Sequence, residues 1–279
     1  MQLKLPQRIL SLDAPLVMGI VNCTPDSFSG DGHGADPDAA LMQARQMIAD
    51  GAAIIDIGGE STRPGAVAVG ETEEIARVVP LIAALRRESQ VVISVDTMKP
   101  AVMRAACAAG AEMINDVSAL QADGALDAAR EAGAAVCLMH MQGRPGTMQR
   151  APHYDDVTRE VAAFLAARIA ACEAAGIDRR HLCIDPGIGF GKRLDHNLDL
   201  LRALGPLQAL ACPLLLGISR KSLFGELLGR PANERLPGTL AATAIAVWQG
   251  VAIVRTHDVR ATADAVRVAQ ALRINQGMA

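Results

Sequence analysis

The amino-acid sequence predicts an α/β fold, a single (β/α)8 TIM barrel preceded by a short N-terminal hairpin. The first observation is a regular alternation of eight apolar strand segments with helical segments, which is typical of a parallel sheet. The second is that these strands are mostly uncharged, as strands covered on both faces are. The third is a length of 279 residues, 51% of them hydrophobic, which suits an α/β barrel. No linker interrupts the pattern, so we expect residues 1–279 to form one domain; a doubly wound open sheet is the alternative fold.

The strands are indicated by short runs of apolar and β-branched residues that end in turn-forming or polar residues. Residues 1–15 contain two short alternating runs, which predict the hairpin. In chain order, the barrel strands are predicted over residues 16–21, 53–57, 91–95, 112–114, 134–139, 182–184, 213–218 and 251–254.

The helices are indicated by apolar residues that recur three and four positions apart. Pro100 suits the first turn of one helix, Pro80 predicts a kink in another, and Gly176 is an expected C-cap. The predicted helical segments are residues 38–50, 75–85, a segment from residue 100, and residues 122–132, 157–169 and 261–273.

Composition and charge exclude several classes of protein. The formal net charge is −3 and no Lys/Arg-rich block occurs, so we do not expect a nucleic-acid partner. The N-terminal residues lack the apolar core of a secretory signal, and no uninterrupted apolar run is long enough to cross a bilayer. The six cysteines form no C-x-x-C pair, which favours buried thiols in a reducing compartment over disulfides or zinc ligands. We therefore expect a cytoplasmic protein with no membrane partner.

Polar residues follow nearly every predicted strand, at the end where a (β/α)8 barrel carries its active site. In chain order they are Asn22, Glu60, Ser61, Thr62, Arg63, Asp96, Asn115, His140, Asp185, Lys221, Arg255 and His257. A single residue of this kind, such as Asp96 or Asp116, can equally be a helix cap. The whole series indicates an active site at the barrel mouth.

Four of these residues suit a flat, nitrogen-rich heterocycle. The carboxylates of Asp96 and Asp185 can each accept two hydrogen bonds from adjacent N–H groups. Asn115 can donate and accept, and Lys221 can donate to a carbonyl or ring nitrogen. Carboxylates buried without such partners would be costly, so this combination favours a heterocyclic ligand.

Groups that can bind an anion follow three strands. Gly59 lets the backbone approach a ligand, and residues 61–63 offer hydroxyl, guanidinium and backbone N–H donors; an ordinary strand-to-helix turn is the alternative. Residues 219–222 and 255–257 follow the last two strands, where barrels often hold phosphate. Asn22 offers an oxygen ligand to Mg²⁺, which commonly binds with waters and substrate phosphates.

Two of the four phenylalanines, Phe28 and Phe190, lie in glycine-bearing loops. The loops over residues 22–36 and 59–70 are long, which is typical of lids and binding loops. Both rings are therefore candidates for ligand contact, although Phe28 could instead pack beneath its own loop.

Eight longer segments carry a more specific signal. They are V-M-G-I-V-N-C-T-P-D-S-F-S (17–29), D-I-G-G-E-S-T-R-P-G (56–65), I-S-V-D-T (93–97), I-N-D-V-S (114–118), M-H-M-Q-G-x-P-x-x-M-Q (139–149), I-D-P-G-I-G-F-G-K (184–192), G-I-S-R-K-S (217–222) and V-R-T-H-D-V (254–259). In this order they closely resemble the dihydropteroate synthase family, over essentially the whole chain. The chain departs from the family pattern at Cys23 and over residues 29–34, in the first loop.

The resemblance implies condensation of 6-hydroxymethyl-7,8-dihydropterin diphosphate with p-aminobenzoate, giving 7,8-dihydropteroate and diphosphate in folate biosynthesis. It also implies Mg²⁺ as cofactor, sulfonamides as competitors and a homodimer. Carried over residue by residue, it assigns pterin contacts to Asp96, Asn115, Asp185 and Lys221, diphosphate contacts to Thr62, Arg63, Arg255, Thr256 and His257, p-aminobenzoate contacts to Phe28, Pro64, Phe190, Lys221 and Ser222, and metal ligation to Asn22.

We expect a dissociative reaction, because an aryl amine is neutral at physiological pH and can attack without first losing a proton. Mg²⁺ and the cationic side chains, Arg63 among them, would stabilise the departing diphosphate. Asp96 and Asp185 would favour the positive charge left on the pterin methylene group, and Lys221 would position the pterin.

Three alternatives stay open on the sequence. A pterin-binding methyltransferase shares the barrel and the carboxylates but has less need of the anion-binding residues. An aldolase-type enzyme would use Lys221 as a Schiff-base nucleophile. A non-catalytic pterin-binding paralogue would keep the pocket without turnover. Glu60 has no assigned ligand and is a candidate for holding the backbone of its loop.

Overall fold

The computed structural model describes residues 1–24, 37–61 and 68–274. Its centre is a parallel sheet in the order β8-β7-β6-β5-β4-β3-β10-β9. The strands are β3 (Leu16–Asn22), β4 (Ile54–Gly58), β5 (Val92–Asp96), β6 (Met113–Asp116), β7 (Ala135–Met139), β8 (Leu182–Asp185), β9 (Leu215–Gly217) and β10 (Ile253–Thr256). A parallel bridge between Ile184 and Leu214 joins the two edges of this sheet. The predicted barrel is therefore confirmed, and an open doubly wound sheet is excluded.

The predicted hairpin is also confirmed and lies at the N-terminal end of the barrel. Strand β1 (Gln2–Lys4) pairs antiparallel with β2 (Ile9–Ser11). Its buried Leu3 packs in one apolar cluster with interior residues of the barrel strands, among them Met18 and Ile54. The hairpin therefore covers the end of the barrel that is opposite to the strand termini carrying polar residues.

Helices surround the sheet and follow the strands in the predicted order. They are α1 (Pro37–Ala49), α2 (Glu71–Glu88), α3 (Pro100–Ala109), α4 (Ala125–Ala132), α5 (Val157–Ala174), α6 (Leu194–Arg202), α7 (Gly205–Gln208), α8 (Ser222–Leu228), α9 (Leu236–Trp248) and α10 (Val259–Ile274). Pro100 is the first residue of α3, as expected, and Pro80 lies inside α2. The C-cap of α5 is Ala175, so the expected C-cap Gly176 is one residue too late.

The period of two along each strand sorts the side chains into two layers. In β4, Ile55 and Ile57 belong to the apolar layer between the sheet and the helices, whereas Ile54 belongs to the barrel interior. Asp56 shares the inward face with Ile54, one layer nearer the strand end. The same alternation turns Asp96 of β5 and Arg255 of β10 inward, so the polar residues meet above an apolar interior.

The cysteines and the helices can be compared with the expectations from the sequence. All six cysteines fall within the described residues and are free thiols, five of them buried and Cys107 partly so. In the described part of the chain, no helix combines the length and the apolar character needed to cross a membrane.

Candidate active site

A cavity of about 710 Å³ opens at the C-terminal ends of the strands. Seven of the residues to which the family resemblance assigns a ligand contact line it, namely Asn22, Asp96, Phe190, Lys221, Ser222, Arg255 and His257. They come from β3, β5, β10 and the loops after β8, β9 and β10. Barrel closure therefore assembles one site from positions spread over the whole chain.

The floor of the cavity is built around the guanidinium of Arg255. Its Nε donates to Asp56 Oδ2 over 2.6 Å, and its Nη2 donates to Asp96 Oδ2 over 2.7 Å. Asn115 Nδ2 donates to the same oxygen of Asp56 over 3.0 Å. Burial alone lowers the pKa of Arg255, but the two carboxylates outweigh it and hold that pKa above its ordinary value. Arg255 was expected at the diphosphate; here its Nη2 binds Asp96 of the predicted pterin pocket and its Nε binds Asp56.

Asp96 has an unusual proton affinity at this position. Burial raises its pKa to about 7, against the opposing effect of Arg255. Near neutral pH its carboxyl group can therefore offer either an acceptor pair or one donor and one acceptor to a ligand. A carboxyl group that can bind in either protonation state suits a heterocycle that carries both N–H groups and bare ring nitrogens.

Lys221 lines the cavity, and Asp185 is buried beneath it. Asp185 Oδ1 accepts a 2.7 Å hydrogen bond from Gly187 N, and burial raises the pKa of Asp185 while Lys221 opposes the shift. Burial lowers the pKa of Lys221 to about 8, against the attraction of Asp185. Lys221 Nζ donates to the carbonyl of Ile188 and lies 4.6 Å from the ring centroid of Phe190. Lys221 thus borders both a carboxylate and an aromatic ring, as the two predicted ligand pockets require.

Ser219 and His257 line the cavity, whereas Thr256, the last residue of β10, does not. His257 Nδ1 lies 2.9 Å from Ser219 Oγ, and both residues line the cavity. Thr256 is fully buried, and its hydroxyl pairs with Thr262 Oγ1 at 3.0 Å and accepts from Asp258 N at 3.1 Å. The side chain of Thr256 therefore holds the start of α10 and does not line the cavity, and its expected diphosphate contact stays a prediction.

Several predicted site residues lie outside the described residues: Phe28, Thr62, Arg63 and Pro64. Among the others, Asn22 ends β3 and Ser222 begins α8, at the edge of the cavity. Asn115 and Asp185 are nearly fully buried beneath it. Glu60 bonds to Lys99, and its Oε1 accepts from Val69 N over 2.9 Å, which matches the expected backbone-holding role.

A metal ion at this site could use few protein ligands. In residues 1–24, 37–61 and 68–274, no three or more His, Cys, Asp or Glu side chains are grouped so that they could hold a metal. The side chain of Asn22 borders the cavity and offers one neutral oxygen. This donor set fits a hard cation that is held mainly by substrate oxygens and water.

Sequence reasoning missed two functional positions, Asp56 and Lys192. Asp56 is fully buried within an apolar strand run, and its inward register with Ile54 is the signal that could have identified it. Lys192 follows a glycine-rich run and is also buried, with its ammonium nitrogen 2.9 Å from His140 Nδ1. A lysine directly after three alternating glycines was the available signal in that case.

The comparisons with known proteins agree with this geometry. The family model described as "Pterin binding enzyme" matches residues 18–257, which defines the class of protein. Dihydropteroate synthase of Escherichia coli (strain K12) is 52% identical over 262 residues, covering 94% of this chain and 93% of the relative. The chain belongs to the dihydropteroate synthase family, whose members are transferases.

Solved structures of the same family match over nearly the full length. The structure of the Yersinia pestis dihydropteroate synthase in complex with a sulfonamide drug has a TM-score of 0.95 at 48% identity. The match covers 99% of this chain and 100% of that one. The Xanthomonas albilineans enzyme with 4-aminobenzoic acid has a TM-score of 0.91 at 51% identity, covering 98% of both chains. The same enzyme with 7,8-dihydropteroate has a TM-score of 0.87 at 48% identity, covering 98% of this chain and 99% of that one.

Proposed function

We propose that this chain condenses 6-hydroxymethyl-7,8-dihydropterin diphosphate with p-aminobenzoate, giving 7,8-dihydropteroate and diphosphate for folate biosynthesis. The observation that carries the proposal is the floor of the cavity, where Arg255 joins Asp56 and Asp96 beside Asn115. This arrangement supports the proposal because it holds carboxylates on the cavity floor, where they would accept hydrogen bonds from the N–H groups of a pterin. The Xanthomonas albilineans relative, solved with 4-aminobenzoic acid and with 7,8-dihydropteroate, supports the same amine substrate and the same product.

The pterin would lie on this floor. Asp96 and Asp185 would accept hydrogen bonds from ring and exocyclic N–H groups, with Asn115 completing the contacts. Lys221 would donate to a carbonyl or ring nitrogen. The negative charges of these carboxylates would also favour positive charge that develops on the pterin.

We propose a dissociative mechanism at the pterin methylene group. The carbon–oxygen bond breaks first, and its electron pair leaves with the diphosphate. The amine lone pair of p-aminobenzoate then forms the carbon–nitrogen bond, and the nitrogen gives up one proton to water. Asp96 and Asp185 stabilise the intermediate cation electrostatically, while the cavity holds the amine near it.

The amine would lie on the Phe190 side of the cavity. The Phe190 ring supplies an apolar face and Lys221, 4.6 Å above it, supplies a cation for a carboxylate or a sulfonyl group. Ser222 lines the same side, and Phe28 and Pro64 complete the proposed pocket. The Yersinia pestis relative, solved with a sulfonamide, supports sulfonamides as competitors at this position.

The diphosphate would lie on the His257 side. His257 and Ser219 line the cavity there, and we propose Thr62, Arg63 and Arg255 as further anion contacts. Asn22 would hold Mg²⁺ together with substrate oxygens and water. When bound, Mg²⁺ would supply charge neutralisation for the leaving group.

The test is release of diphosphate when the purified protein is mixed with dihydropterin diphosphate and p-aminobenzoate, with and without Mg²⁺. We expect release that requires both substrates and falls sharply when Mg²⁺ is chelated, together with formation of 7,8-dihydropteroate. Absence of condensation, combined with methyl transfer from methyltetrahydrofolate, would instead favour the methyltransferase. Binding of the pterin without turnover would favour the non-catalytic paralogue.

We further propose that residues 1–279 form a single cytoplasmic domain that pairs with a second copy of the chain. Large apolar side chains are exposed on the neighbouring helices α9 and α10, namely Ile245, Trp248, Val268 and Leu272. Exposed apolar side chains on two neighbouring helices favour association with a like surface.

A further inference from the structure

The loop between β8 and α6 has an unusual hydrogen-bonding pattern. Five consecutive carbonyl groups, from Gly187 to Gly191, each accept a hydrogen bond from a side chain. The donors are Lys192 Nζ to Gly187 O and Phe190 O, both over 3.0 Å, Lys221 Nζ to Ile188 O, Gln149 Nε2 to Gly189 O over 2.6 Å, and Tyr154 Oη to Gly191 O over 2.8 Å. The shape of this loop is therefore set by side chains that surround it, together with the backbone hydrogen bond from Phe190 N to Gly187 O over 3.0 Å.

Close packing explains why side chains must supply these donors. Gly187 and Gly191 have left-handed φ angles of +66° and +62°. A Cβ atom on Gly187 would lie 1.9 Å from the carbonyl oxygen of His140, and one on Gly191 would lie 2.5 Å from that of Gln142. The loop thus lies directly on residues 140–142 and cannot form a regular strand or helix there. Apart from the 3.0 Å hydrogen bond that Phe190 N donates to Gly187 O, the carbonyls of residues 187–191 therefore need donors from outside the loop.

Lys192 is the central donor of this loop. Its side chain is 3% exposed, and Nζ lies 3.0 Å from Gly187 O, 3.0 Å from Phe190 O and 2.9 Å from His140 Nδ1. Burial lowers the pKa of Lys192 well below its ordinary value, against the attraction of Asp185. Both the ammonium and the neutral amine carry at least two N–H groups, so either form can satisfy both carbonyls.

The two carbonyls that Lys192 holds flank the contacts made by Lys221. Ile188 O, which accepts from Lys221 Nζ, lies between Gly187 and Phe190 in the chain. The Phe190 ring lies 4.6 Å from the same nitrogen. A change in the turn from Gly187 to Phe190 would therefore move both contacts of the Lys221 ammonium at once.

We propose that Lys192 is a positioning residue: it holds the turn from Gly187 to Phe190 so that the Ile188 carbonyl and the Phe190 ring place the Lys221 side chain. Its effect on turnover rests on the proposed function, because Lys221 is the group that would contact the substrates. Its effect on the loop is independent of that function.

A double-mutant cycle tests whether Lys192 acts through Lys221. The variants are Lys192→Met, Lys221→Met and the double variant, compared in kcat/KM for p-aminobenzoate. Methionine keeps the length of the buried side chain but removes its donors. We expect Lys192→Met to lower kcat/KM about 30-fold in the wild-type background and less than about threefold when Lys221 is already Met. Equal losses in both backgrounds would overturn the proposal, because a general loss of structure does not depend on Lys221.

A second variant keeps the test decisive if Lys192→Met does not fold. Gln149 is exposed, so Gln149→Leu removes one donor to this loop without disturbing the core. The matched control is Gln121→Leu, since exposed Gln121 Nε2 donates to Ser118 O over 2.8 Å in a different loop. We expect a loss of about threefold for Gln149→Leu that depends on Lys221, and no change for Gln121→Leu. Equal effects of the two glutamine variants would contradict the proposal.

Hydrogen–deuterium exchange separates this proposal from the proposed function. It is measured without substrate on peptides that cover residues 186–193 and 217–224, in the wild type and in Lys192→Met, or in Gln149→Leu if the first variant does not fold. We expect faster exchange in both peptides, and unchanged exchange in Gln121→Leu. Unchanged exchange in the loop variant would overturn the positioning role. A wild-type protein without condensation activity would refute the proposed function while leaving the exchange result to decide the positioning role.

Discussion

At the scale of single residues, the Arg255 guanidinium controls the electrostatics of the cavity floor. It offsets the cost of burying two carboxylates, Asp56 and Asp96, that lie on different strands. Asp56 Oδ1 nevertheless has no hydrogen-bond partner among the described residues. Burial raises the pKa of Asp96, which lines the cavity, to about 7, so we expect its protonation to change near neutral pH.

The raised pKa of Asp96 predicts how protein stability depends on pH. The folded state keeps this proton up to about pH 7, whereas an unfolded chain loses it near the ordinary aspartate pKa of 3.8. Between these values the folded state binds more protons, so the Asp96 contribution makes stability fall as pH rises. We expect the slope of unfolding free energy against pH to be less negative in Asp96→Asn, by up to about 1 kcal/mol per pH unit. Urea unfolding across this window measures it, and identical slopes for both proteins would contradict the shift.

Asp185 allows a test of the dissociative mechanism. Asp185→Asn keeps the shape of the side chain but removes the negative charge that would stabilise the pterin cation. We expect kcat to fall at least about tenfold, with KM for p-aminobenzoate within about threefold of wild type. Asp195→Asn is the control, because Asp195 is exposed on α6 and pairs with Arg193 over 2.8 Å. An unchanged kcat in Asp185→Asn, measured in single-turnover and steady-state assays, would exclude the charge-stabilising role.

At the scale of secondary-structure elements, one lysine joins β4, α2 and α3. Lys99 is the N-cap residue of α3, and its Nζ bonds to the carboxylates of both Glu60 and Glu74. Glu74 is fully buried in α2, and Glu60 also accepts from Val69 N, just before that helix. The two described ends of the loop after β4 are thereby fixed to each other and to the next helix.

This ion-pair network predicts a stability difference between two cation substitutions on or beside α3. Lys99→Met leaves the buried carboxylate of Glu74 without its cation, and we expect a loss of about 3 kcal/mol in unfolding free energy. Arg104→Met removes an exposed pair with Glu131 and is expected to cost less than about 0.5 kcal/mol. Denaturant titration of both variants measures the difference. Similar losses of unfolding free energy in the two variants would mean that the buried ion pairs of Lys99 stabilise the protein no more than the exposed ion pair of Arg104.

At the scale of the whole molecule, one end of the barrel buries apolar side chains and the other end buries charged ones. The hairpin closes the N-terminal end with an apolar cluster that contains Leu3 and Leu5. The polar layer of Asp56, Asp96 and Arg255 lies toward the other end. This separation lets the strand ends carry costly buried charges while the opposite end and the outer layer supply apolar stabilisation.

The exposed apolar surface on α9 and α10 predicts the association state. The double variant Ile245→Glu with Val268→Glu places two charges on this surface, and we expect it to convert a dimer into monomers. Ile9→Glu is the matched control, because Ile9 is equally exposed but lies in the hairpin at the N-terminal end. Light scattering coupled to size-exclusion chromatography measures the molar mass. A monomeric wild type, or a dimeric double variant, would contradict pairing through these helices.

The sequence by itself determined the barrel, its hairpin and the series of polar residues at the strand ends. These features depend on local periodicity and on turn residues, which are visible within a few positions of the chain. The tertiary structure alone decided that Arg255 pairs with Asp56, 199 residues away, and that Thr256 turns toward α10. It also decided that side chains from distant loops hold the Gly187–Gly191 carbonyls. Such contacts depend on which strands become neighbours and on how far each side chain reaches. Local sequence patterns show neither of these.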